Sequence, residues 1–240
     1  MQKVLLSLLM IISFFINPPA NASEITWNFS QKTTWGDGVQ PDGDIYGNTD
    51  VWYYKYAPLN STNYTQYQLM PYWVTSVSAW SFVQIPGASV DNNWLTVFSN
   101  QIAPGNLNDA VIEFKAPYTG LYDIYAQLYN WNGQAHQYSD GQNFYIQKMG
   151  TILDSVYNPV GGTSSLSKQD VALTAGESIF LRVNMNLYTY YDSIIIQQFS
   201  ITGTFPDPEV PPDPESIPEP LSVILFCFGL CGIFFKKSRR

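Results

Sequence analysis

Residues 121–130 read Leu-Tyr-Asp-Ile-Tyr-Ala-Gln-Leu-Tyr-Asn, and this stretch decides the fold class. Its residue types alternate with period two, which places one set on each face of a strand: Tyr122, Ile124, Ala126 and Leu128 on one face, and Asp123, Tyr125, Gln127 and Tyr129 on the other. Residues 178–187 alternate in the same way: Ile179, Leu181, Val183, Met185 and Leu187 on one face, and Phe180, Arg182, Asn184 and Asn186 on the other. Both stretches predict antiparallel strands that bury one face.

Turn signals separate such stretches along much of the chain: Pro86-Gly87, Pro104-Gly105, Asn132-Gly133, Asp140-Gly141, Gly161-Gly162 and Ala175-Gly176. Many short strands without convincing helical periodicity indicate an all-β fold. We therefore predict an antiparallel, jelly-roll-like β-sandwich over residues 23–205. Along residues 192–204 the apolar phase shifts by one residue near Gln197-Gln198, which predicts a β-bulge in the last strand.

The N-terminus has the three parts of a secretory signal peptide. Met1-Gln2-Lys3 is short and positive, residues 4–16 are apolar, and Ala20-Asn21-Ala22 is a small-x-small cleavage site. We predict that residues 1–22 are a signal peptide cut after Ala22. An uncleaved anchor is the alternative, and Pro18-Pro19 disfavour it because they break the apolar run before the cleavage site.

The C-terminus combines four different segments. Residues 206–217 are a spacer of proline and acidic residues, expected to be extended over roughly 30 Å. Pro218-Glu219-Pro220 follows, then an uncharged apolar run at 221–235, then the basic end Lys236-Lys237-Ser238-Arg239-Arg240. We predict a transmembrane helix at 221–235 with its basic end in the cytoplasm. The run is shorter than the roughly 20 residues that cross a bilayer comfortably, so a buried core helix is one alternative. A GPI signal is another, although it normally lacks a terminal basic cluster.

This tail at 218–240 resembles the PEP-CTERM sorting domains of Gram-negative bacteria. The resemblance implies recognition by a membrane exosortase, with Pro218, Glu219 and Pro220 as the processing motif. It also implies anchoring at the inner membrane on the periplasmic side, followed by release to the cell surface or extracellular matrix. Proteins with such tails are associated with exopolysaccharide and biofilm.

The body resembles β-sandwich domains found ahead of such tails, over roughly residues 50–205. The matching motifs are Val51-Trp52-Tyr53-Tyr54, residues 114–122 (Phe-Lys-Ala-Pro-Tyr-Thr-Gly-Leu-Tyr) and residues 171–177 (Val-Ala-Leu-Thr-Ala-Gly-Glu). This second resemblance implies a fold more than an activity.

Charge and cysteine content restrict the partners and the stabilising bonds of the body. Of eleven basic and nineteen acidic residues, five and one lie in segments 1–22 and 218–240, so residues 23–217 have a formal charge of −12. Such a segment repels nucleic acid and anionic lipid headgroups, and we predict neither as a partner. Both cysteines, Cys227 and Cys231, lie in the apolar tail, so an internal disulfide in the body is excluded.

The sequence does not contain a recognisable catalytic motif, and we predict a non-enzymatic protein without a cofactor. Its one histidine, His136, lies in a predicted loop, and neither a Gly-x-Ser-x-Gly elbow nor zinc-ligand spacing is present. Glycoside hydrolysis needs two convergent carboxylates. Glu113 alternates with Ile112 and Phe114 and is expected to face solvent, and Glu177 is expected in a turn.

One segment has the composition of a calcium loop. Residues 42–50 place oxygen-bearing side chains at Asp42, Asp44, Asn48 and Asp50, with Asp37 nearby. Alternating oxygen ligands around a glycine are typical of Ca²⁺ loops. The alternative is a loop whose Asp and Gly residues only form turns, and Tyr46 at an expected ligand position favours that alternative.

Exposed aromatic residues are the remaining functional signal. Tyr125 and Tyr129 lie opposite the predicted core face, Trp131 follows them, and Tyr188, Tyr190 and Tyr191 form a later cluster. Aromatic faces stack on sugar rings, and amides nearby could bond sugar hydroxyls: Gln127, Asn130, Asn132 and Gln134. The alternative is the ordinary preference of tyrosine for strands. We expect an exported surface or matrix protein with a structural or adhesive role, or alternatively a carbohydrate-binding module for matrix polysaccharide.

Overall fold

A computed structural model describes residues 22–84, 95–131, 140–187 and 193–206, with the side chains of the two end residues, 22 and 206, excepted. Within these ranges Ser23–Phe205 form one compact unit built from two antiparallel sheets. The strands in chain order are β1 Ala22–Asn28, β2 Trp52–Pro58, β3 Gln68–Leu69, β4 Tyr72–Val74, β5 Ala79–Ser81, β6 Thr96–Phe98, β7 Gln101–Ala103, β8 Asn108–Lys115, β9 Gly120–Trp131, β10 Gln142–Lys148, β11 Thr151–Asn158, β12 Thr163–Leu173, β13 Ser178–Met185 and β14 Ser193–Pro206. Two 3₁₀ turns, Phe29–Gln31 and Tyr64–Gln66, are also present.

The strands divide into an eight-stranded and a six-stranded sheet. The first has the order β12-β9-β14-β7-β6-β5-β4, with β1 paired to β14. The second has the order β11-β10-β13-β8-β2-β3. The prediction of an all-β antiparallel sandwich is therefore confirmed, whereas the finer jelly-roll description stays a prediction.

One hydrophobic core fills the space between the sheets. Rings from opposite sheets meet in it: Trp52 of β2 lies 5.7 Å from Phe199 of β14, and Phe114 of β8 lies 6.1 Å from Tyr122 of β9, measured between ring centroids. The alternation predicted for 121–130 is confirmed, because its apolar members are buried at 2 % exposure or less: Tyr122, Ile124, Ala126 and Leu128.

The predicted bulge in the last strand is confirmed. The pairing of β14 with β9 shifts between Ile196 and Gln198. On either side of this shift Ile194, Phe199 and Ile201 are all buried. The extra residue thus keeps the apolar side chains of a long strand facing the core on both sides of the bulge.

The second stretch, 178–187, was predicted to be half buried, and this is wrong. Phe180, Arg182 and Asn184 lie on the face opposite the core, yet each is 2 % exposed. The segment 59–67 covers this outer face of the six-stranded sheet, where Tyr67 packs on Phe180 with 5.2 Å between ring centroids. The same stretch ends as a strand at Met185, so Leu187, predicted to be on the buried face, is 68 % exposed.

The covered outer face contains ionic groups. Arg182 pairs with Asp109, which also accepts a hydrogen bond of 2.5 Å from the Asn184 amide. Glu113, predicted to face solvent, is 6 % exposed and pairs with Lys55 at 2.5 Å, so that prediction is wrong. Burial raises the pKa of Asp109, and the hydrogen bond from Asn184 and the Arg182 charge oppose this rise.

Four aromatic side chains pack against one another in a closed cycle. They are Trp35 before β2, Tyr54 of β2, Trp73 of β4 and Trp80 of β5. The distances between ring centroids are 5.0 Å for Trp35–Tyr54, 5.3 Å for Trp35–Trp73, 5.6 Å for Trp73–Trp80 and 5.9 Å for Tyr54–Trp80. Three of these pairs are edge-to-face and the Tyr54–Trp80 pair is stacked. Aromatic pairs stabilise a fold by about 0.5–1.5 kcal/mol each beyond their buried area, so this packing contributes to the stability of the body.

Several sequence predictions concern residues beyond the described ranges. They are the signal peptide with Ala20, the sorting motif Pro218, Glu219 and Pro220, the predicted membrane span 221–235, the basic end 236–240, and His136. Across the described part of the chain, no helix has the length and apolar character needed to cross a bilayer. Pro206, the first residue of the predicted spacer 206–217, belongs to β14, and residues 207–217 lie outside the described ranges.

Candidate functional site

The outer face of the eight-stranded sheet carries a flat band of aromatic, hydroxyl and amide side chains. Three neighbouring strands contribute to it, with β9 in the middle. We call this band the β9 strip, and it consists of Tyr125, Gln127, Tyr129 and Trp131 of β9, Thr163, Ser165 and Ser167 of β12, and Gln198 and Ser200 of β14. The described residues of the strip carry no charge.

Register explains why the tyrosines of the strip are accessible. Tyr125 pairs with Ser167 on one side and Ser200 on the other, so both of its cross-strand neighbours are small. Its hydroxyl lies 3.4 Å from the Ser165 hydroxyl, one row along the strand. Small neighbours leave part of a large ring uncovered, because side chains stand roughly perpendicular to a sheet. Tyr125 and Tyr129 are both half buried, and Tyr129 pairs with the larger Ile195 on the β14 side.

The spacing of the aromatic residues follows from strand geometry. Tyr125 and Tyr129 are four residues apart on the same face of β9, which corresponds to roughly 13 Å. Gln127 lies between them, opposite Ser165 and Gln198. Trp131 ends the strip and is 52 % exposed. The strip therefore offers aromatic rings at intervals, with hydrogen-bonding groups between them.

The structure does not bring all the predicted aromatic and amide residues together. Asn130 was predicted to bond hydroxyls beside these rings, and this is wrong, because it shares the inward face with Leu128 and is 0 % exposed. The predicted partners Asn132 and Gln134 and the cluster Tyr188, Tyr190 and Tyr191 lie outside the described residues.

In the predicted calcium loop, Asp44 is occupied by the loop itself. One of its carboxylate oxygens accepts from the backbone N–H groups of Tyr46 and Asn48, both at 2.9 Å. The other accepts from the Trp27 indole at 2.6 Å and from the Asn48 amide at 2.7 Å. Four donors use this carboxylate, so Asp44 organises the loop.

Asp42 faces into the protein. It is 0 % exposed, and it accepts hydrogen bonds from the hydroxyl groups of Tyr54 and, at 2.9 Å, of Thr34. Burial raises the pKa of Asp42, while the hydrogen bonds from Tyr54 and Thr34 and the Lys32 charge oppose that rise. Burial and the Asp42 charge likewise hold the pKa of Tyr54 well above 10.0.

Asp50 faces away from both other carboxylates of the loop. It pairs with Lys115 at 2.5 Å and accepts a hydrogen bond from Tyr53. Burial raises the pKa of Asp50, but the Lys115 and Tyr53 hydrogen bonds and the Lys115 charge outweigh it, and the pKa lies below 3.8. In the part of the chain that the structure describes, His, Cys, Asp and Glu side chains form no group of three suited to a metal ion. The geometry of these three carboxylates favours the turn-forming alternative for 42–50.

No protein-family model and no curated protein matches this chain. Among solved structures, it is similar to the CBM36-1 domain of a xylanase from the hindgut metagenome of Trinervitermes trinervoides, with 15 % identity, a TM-score of 0.29, and coverage of 42 % of this chain and 74 % of the other. It is also similar to the CBM6 of a marine laminarinase from Zobellia galactanivorans, with 15 % identity, a TM-score of 0.24, and coverage of 43 % and 86 %. A cyclase from Fischerella sp. TAU gives 11 % identity, a TM-score of 0.34, and coverage of 77 % and 98 %. These likenesses are too weak to support an inference about this chain.

Sequence reasoning missed the strip residues of β12 and β14. The residues not predicted as site residues lie 38 or more positions from Tyr125 along the chain: Thr163, Ser165, Ser167, Gln198 and Ser200. Polar residues on the outer face of a strand are ordinary, and only strand pairing places these beside the β9 tyrosines. The chemistry that the strip supports is recognition of a neutral, extended molecule that offers both hydroxyl groups and apolar faces.

Proposed function

We propose that this protein is an exported, non-enzymatic component of the cell surface or extracellular matrix that binds neutral polysaccharide through the β9 strip. The observation that carries the proposal is the uncharged band of half-buried Tyr125, Gln127 and Tyr129. It is flanked on the β12 side by the exposed hydroxyl residues Thr163, Ser165 and Ser167, and on the β14 side by the exposed amide of Gln198. Polysaccharides present apolar ring faces and rows of hydroxyl groups, and the strip matches both with aromatic faces and with amide and hydroxyl groups.

Electrostatics supports a neutral polymer as the ligand. Residues 23–217 have a formal charge of −12, which disfavours acidic polysaccharides at long range. The strip itself has no charged member, so an acidic polymer would find no counter-charge on it. A neutral polysaccharide is not repelled by the acidic body and needs no counter-charge on the strip.

The two termini support export, and this part of the proposal rests on sequence. Residues 1–22 have the pattern of a signal peptide with cleavage at Ala20-Asn21-Ala22. Pro218-Glu219-Pro220, the apolar run and the basic end resemble a PEP-CTERM tail. Together they suggest periplasmic exposure, transient anchoring at the inner membrane and processing by an exosortase-type enzyme.

Affinity electrophoresis in gels that contain the host's own exopolysaccharide tests the binding. The wild-type protein should be retarded, and the Tyr125→Ser/Tyr129→Ser double variant should migrate as it does in an empty gel. Tyr72→Ser is the matched control, because Tyr72 is a strand tyrosine of the same sheet, 43 % exposed and outside the strip. Equal mobility of the wild-type protein with and without polysaccharide would refute the binding proposal.

The export proposal has its own test. The intact mass and location of the protein are measured in its native host, with and without a Pro218-Glu219-Pro220 to triple-alanine substitution. A shortened, released product that the substitution abolishes is the expected result. Full-length protein in the membrane in both cases would mean that the tail is only an anchor.

A further inference from the structure

A concave surface lies near the start of β9, and none of the strip residues lines it. It is a cleft of about 470 Å³ where the loop 47–50, the end of β8 and the β12–β13 turn meet. Its lining includes Asn48, Thr49, Asp50, Lys115 and Pro117. The volume falls within the range of roughly 300–1,000 Å³ that is typical of small-molecule sites. Tyr125, the strip residue of β9 nearest to the cleft, is five residues beyond Gly120, or roughly 16 Å along the strand.

The cleft contains hydrogen-bonding groups that remain accessible. The Asp50–Lys115 ion pair forms part of its lining, with side-chain exposures of 50 % and 33 %. An ammonium has three N–H donors. One N–H group of the Lys115 ammonium donates to Asp50, so its other N–H groups can donate to a ligand. Asp50, Lys115 and Thr49 thus offer both donors and acceptors to one ligand.

Backbone hydrogen bonds hold the walls of the cleft together. Lys115 N–H donates to Val51 O at 2.9 Å, Ala116 N–H donates to Glu177 O at 2.8 Å, and Gly176 N–H donates to Ala116 O at 2.8 Å. On the loop side, Asn48 donates two hydrogen bonds to Asp44, one from its backbone N–H and one from its side-chain amide, and these fix it in place. The cleft is therefore preformed, and binding does not have to order a flexible loop.

An exposed tyrosine stands beside the cleft. Tyr118 is 40 % exposed, follows Pro117 in the chain, and its hydroxyl lies 3.4 Å from the Asn48 side-chain oxygen. An aromatic ring next to convergent polar groups is an arrangement that suits a sugar ring, which has an apolar face and a polar edge.

We propose that this cleft is a second saccharide site, which takes one or two neutral sugar residues against Asp50, Lys115 and Tyr118. The choice of a saccharide rests on the proposed function, while the location does not depend on the β9 strip. The Asp50–Lys115 pair has no net charge, so a charged ligand would have to compete with one partner for the other. Two separate sites on one body would allow the protein to bridge polysaccharide chains, with the gain in avidity that two linked sites provide.

Calorimetric titration of the exported protein with short oligosaccharides released from the host exopolysaccharide tests this proposal. The wild-type protein should bind two molecules, and Lys115→Met should bind one, because methionine keeps the aliphatic chain and removes the donors. Lys148→Met is the matched control and should still bind two, since Lys148 forms a comparable ion pair with Glu177 at 3.2 Å and does not line the cleft. Asp50→Asn provides a second cleft variant, and a thermal melt of each variant verifies folding.

The strip double variant separates the two proposals. The wild-type protein could bind one oligosaccharide, with binding kept in Lys115→Met and lost in Tyr125→Ser/Tyr129→Ser. That result would refute the proposed cleft site and support the proposed strip site. One bound oligosaccharide that is lost in Lys115→Met and kept in Tyr125→Ser/Tyr129→Ser would refute the strip site and support the cleft site. Absence of binding in the wild-type protein would overturn both.

Discussion

Gln142 and Gln147 are two glutamines of the same strand, β10, in opposite situations. Both are 0 % exposed. Gln147 accepts from the Tyr67 hydroxyl at 2.9 Å and donates to Thr62 O at 2.9 Å. Gln142 faces inward beside Asn158, and none of the described residues bonds either end of its amide. Leaving a buried polar group without a partner costs roughly 1–3 kcal/mol.

We predict that Gln142→Leu raises the free energy of unfolding by about 1 kcal/mol, because it replaces an unbonded amide with an apolar group of similar size. The matched control Gln147→Leu should lower it by about 1–3 kcal/mol, because it removes the donor to Thr62 O and one of the two acceptors of the Tyr67 hydroxyl, which retains Ser61 O. Urea titrations of the three proteins measure both effects. A loss of stability in Gln142→Leu would show that its amide is bonded in solution.

Asp42 gives the body an unusual dependence on pH. Its pKa in the folded state is raised above 3.8 by burial, so the protonated carboxyl is the form that folding favours. The contribution of Asp42 to the free energy of unfolding is therefore complete below the pKa of an aspartate in the unfolded chain. It is lost as the pH rises through the pKa of Asp42 in the folded protein. An asparagine at position 42 is neutral at every pH, so the Asp42→Asn variant lacks this dependence.

We therefore predict that the melting temperature of the wild-type protein falls relative to that of Asp42→Asn as the pH is raised from about 3 to about 7. Thermal melts of both proteins across this range provide the measurement. Asp109, whose pKa is also raised, is present in both proteins and cancels in the difference. Parallel curves would mean that Asp42 titrates as an ordinary aspartate.

The packing of strand β14 depends on one backbone feature, the bulge between Ile196 and Gln198. It pairs with β9 along most of its length, and Gln197, which is exposed, occupies the position of the shift in register. Because side chains alternate with period two, removing one residue exchanges the inward and outward sets on one side of it.

Deletion of Gln197 should therefore turn Phe199 and Ile201, or Ile194 and Ile196, out of the core. Loss of even two such side chains costs about 4–10 kcal/mol, so we expect a protein that does not fold. Gln197→Ala keeps the backbone length and should change stability by less than about 0.5 kcal/mol. Near-ultraviolet circular dichroism distinguishes the two, and a native spectrum for the deletion would show that the register can slip.

For the whole molecule, the ion pairs concentrate on one sheet. The basic members of the four described pairs, Lys55, Lys115, Lys148 and Arg182, all lie on strands of the six-stranded sheet. The outer face of the eight-stranded sheet keeps its strip uncharged. The outer face of the six-stranded sheet therefore carries buried ion pairs, whereas the β9 strip of the other sheet has no charged member.

We predict that binding of exopolysaccharide to the strip changes by less than about twofold between low salt and about 0.5 M salt, because salt screens only charged contacts. Affinity electrophoresis at several salt concentrations measures this. An affinity that falls steeply with salt would indicate ionic contacts and place the polysaccharide elsewhere on the body.

The sequence by itself determined which side chains of β9 point inward, that turns fall at Gly161-Gly162 and Ala175-Gly176, that the last strand contains a bulge, and that a disulfide cannot stabilise the body. These features depend on local periodicity and residue type, which the chain displays directly. The tertiary structure decided that Glu113 and Arg182 are buried, that Asn130 faces inward, and that Asp50 meets Lys115. It also placed Ser167 and Ser200 on either side of Tyr125. Alternation tells inward from outward, but it does not specify which distant strand becomes the neighbour or which face a loop covers, because those depend on long-range packing.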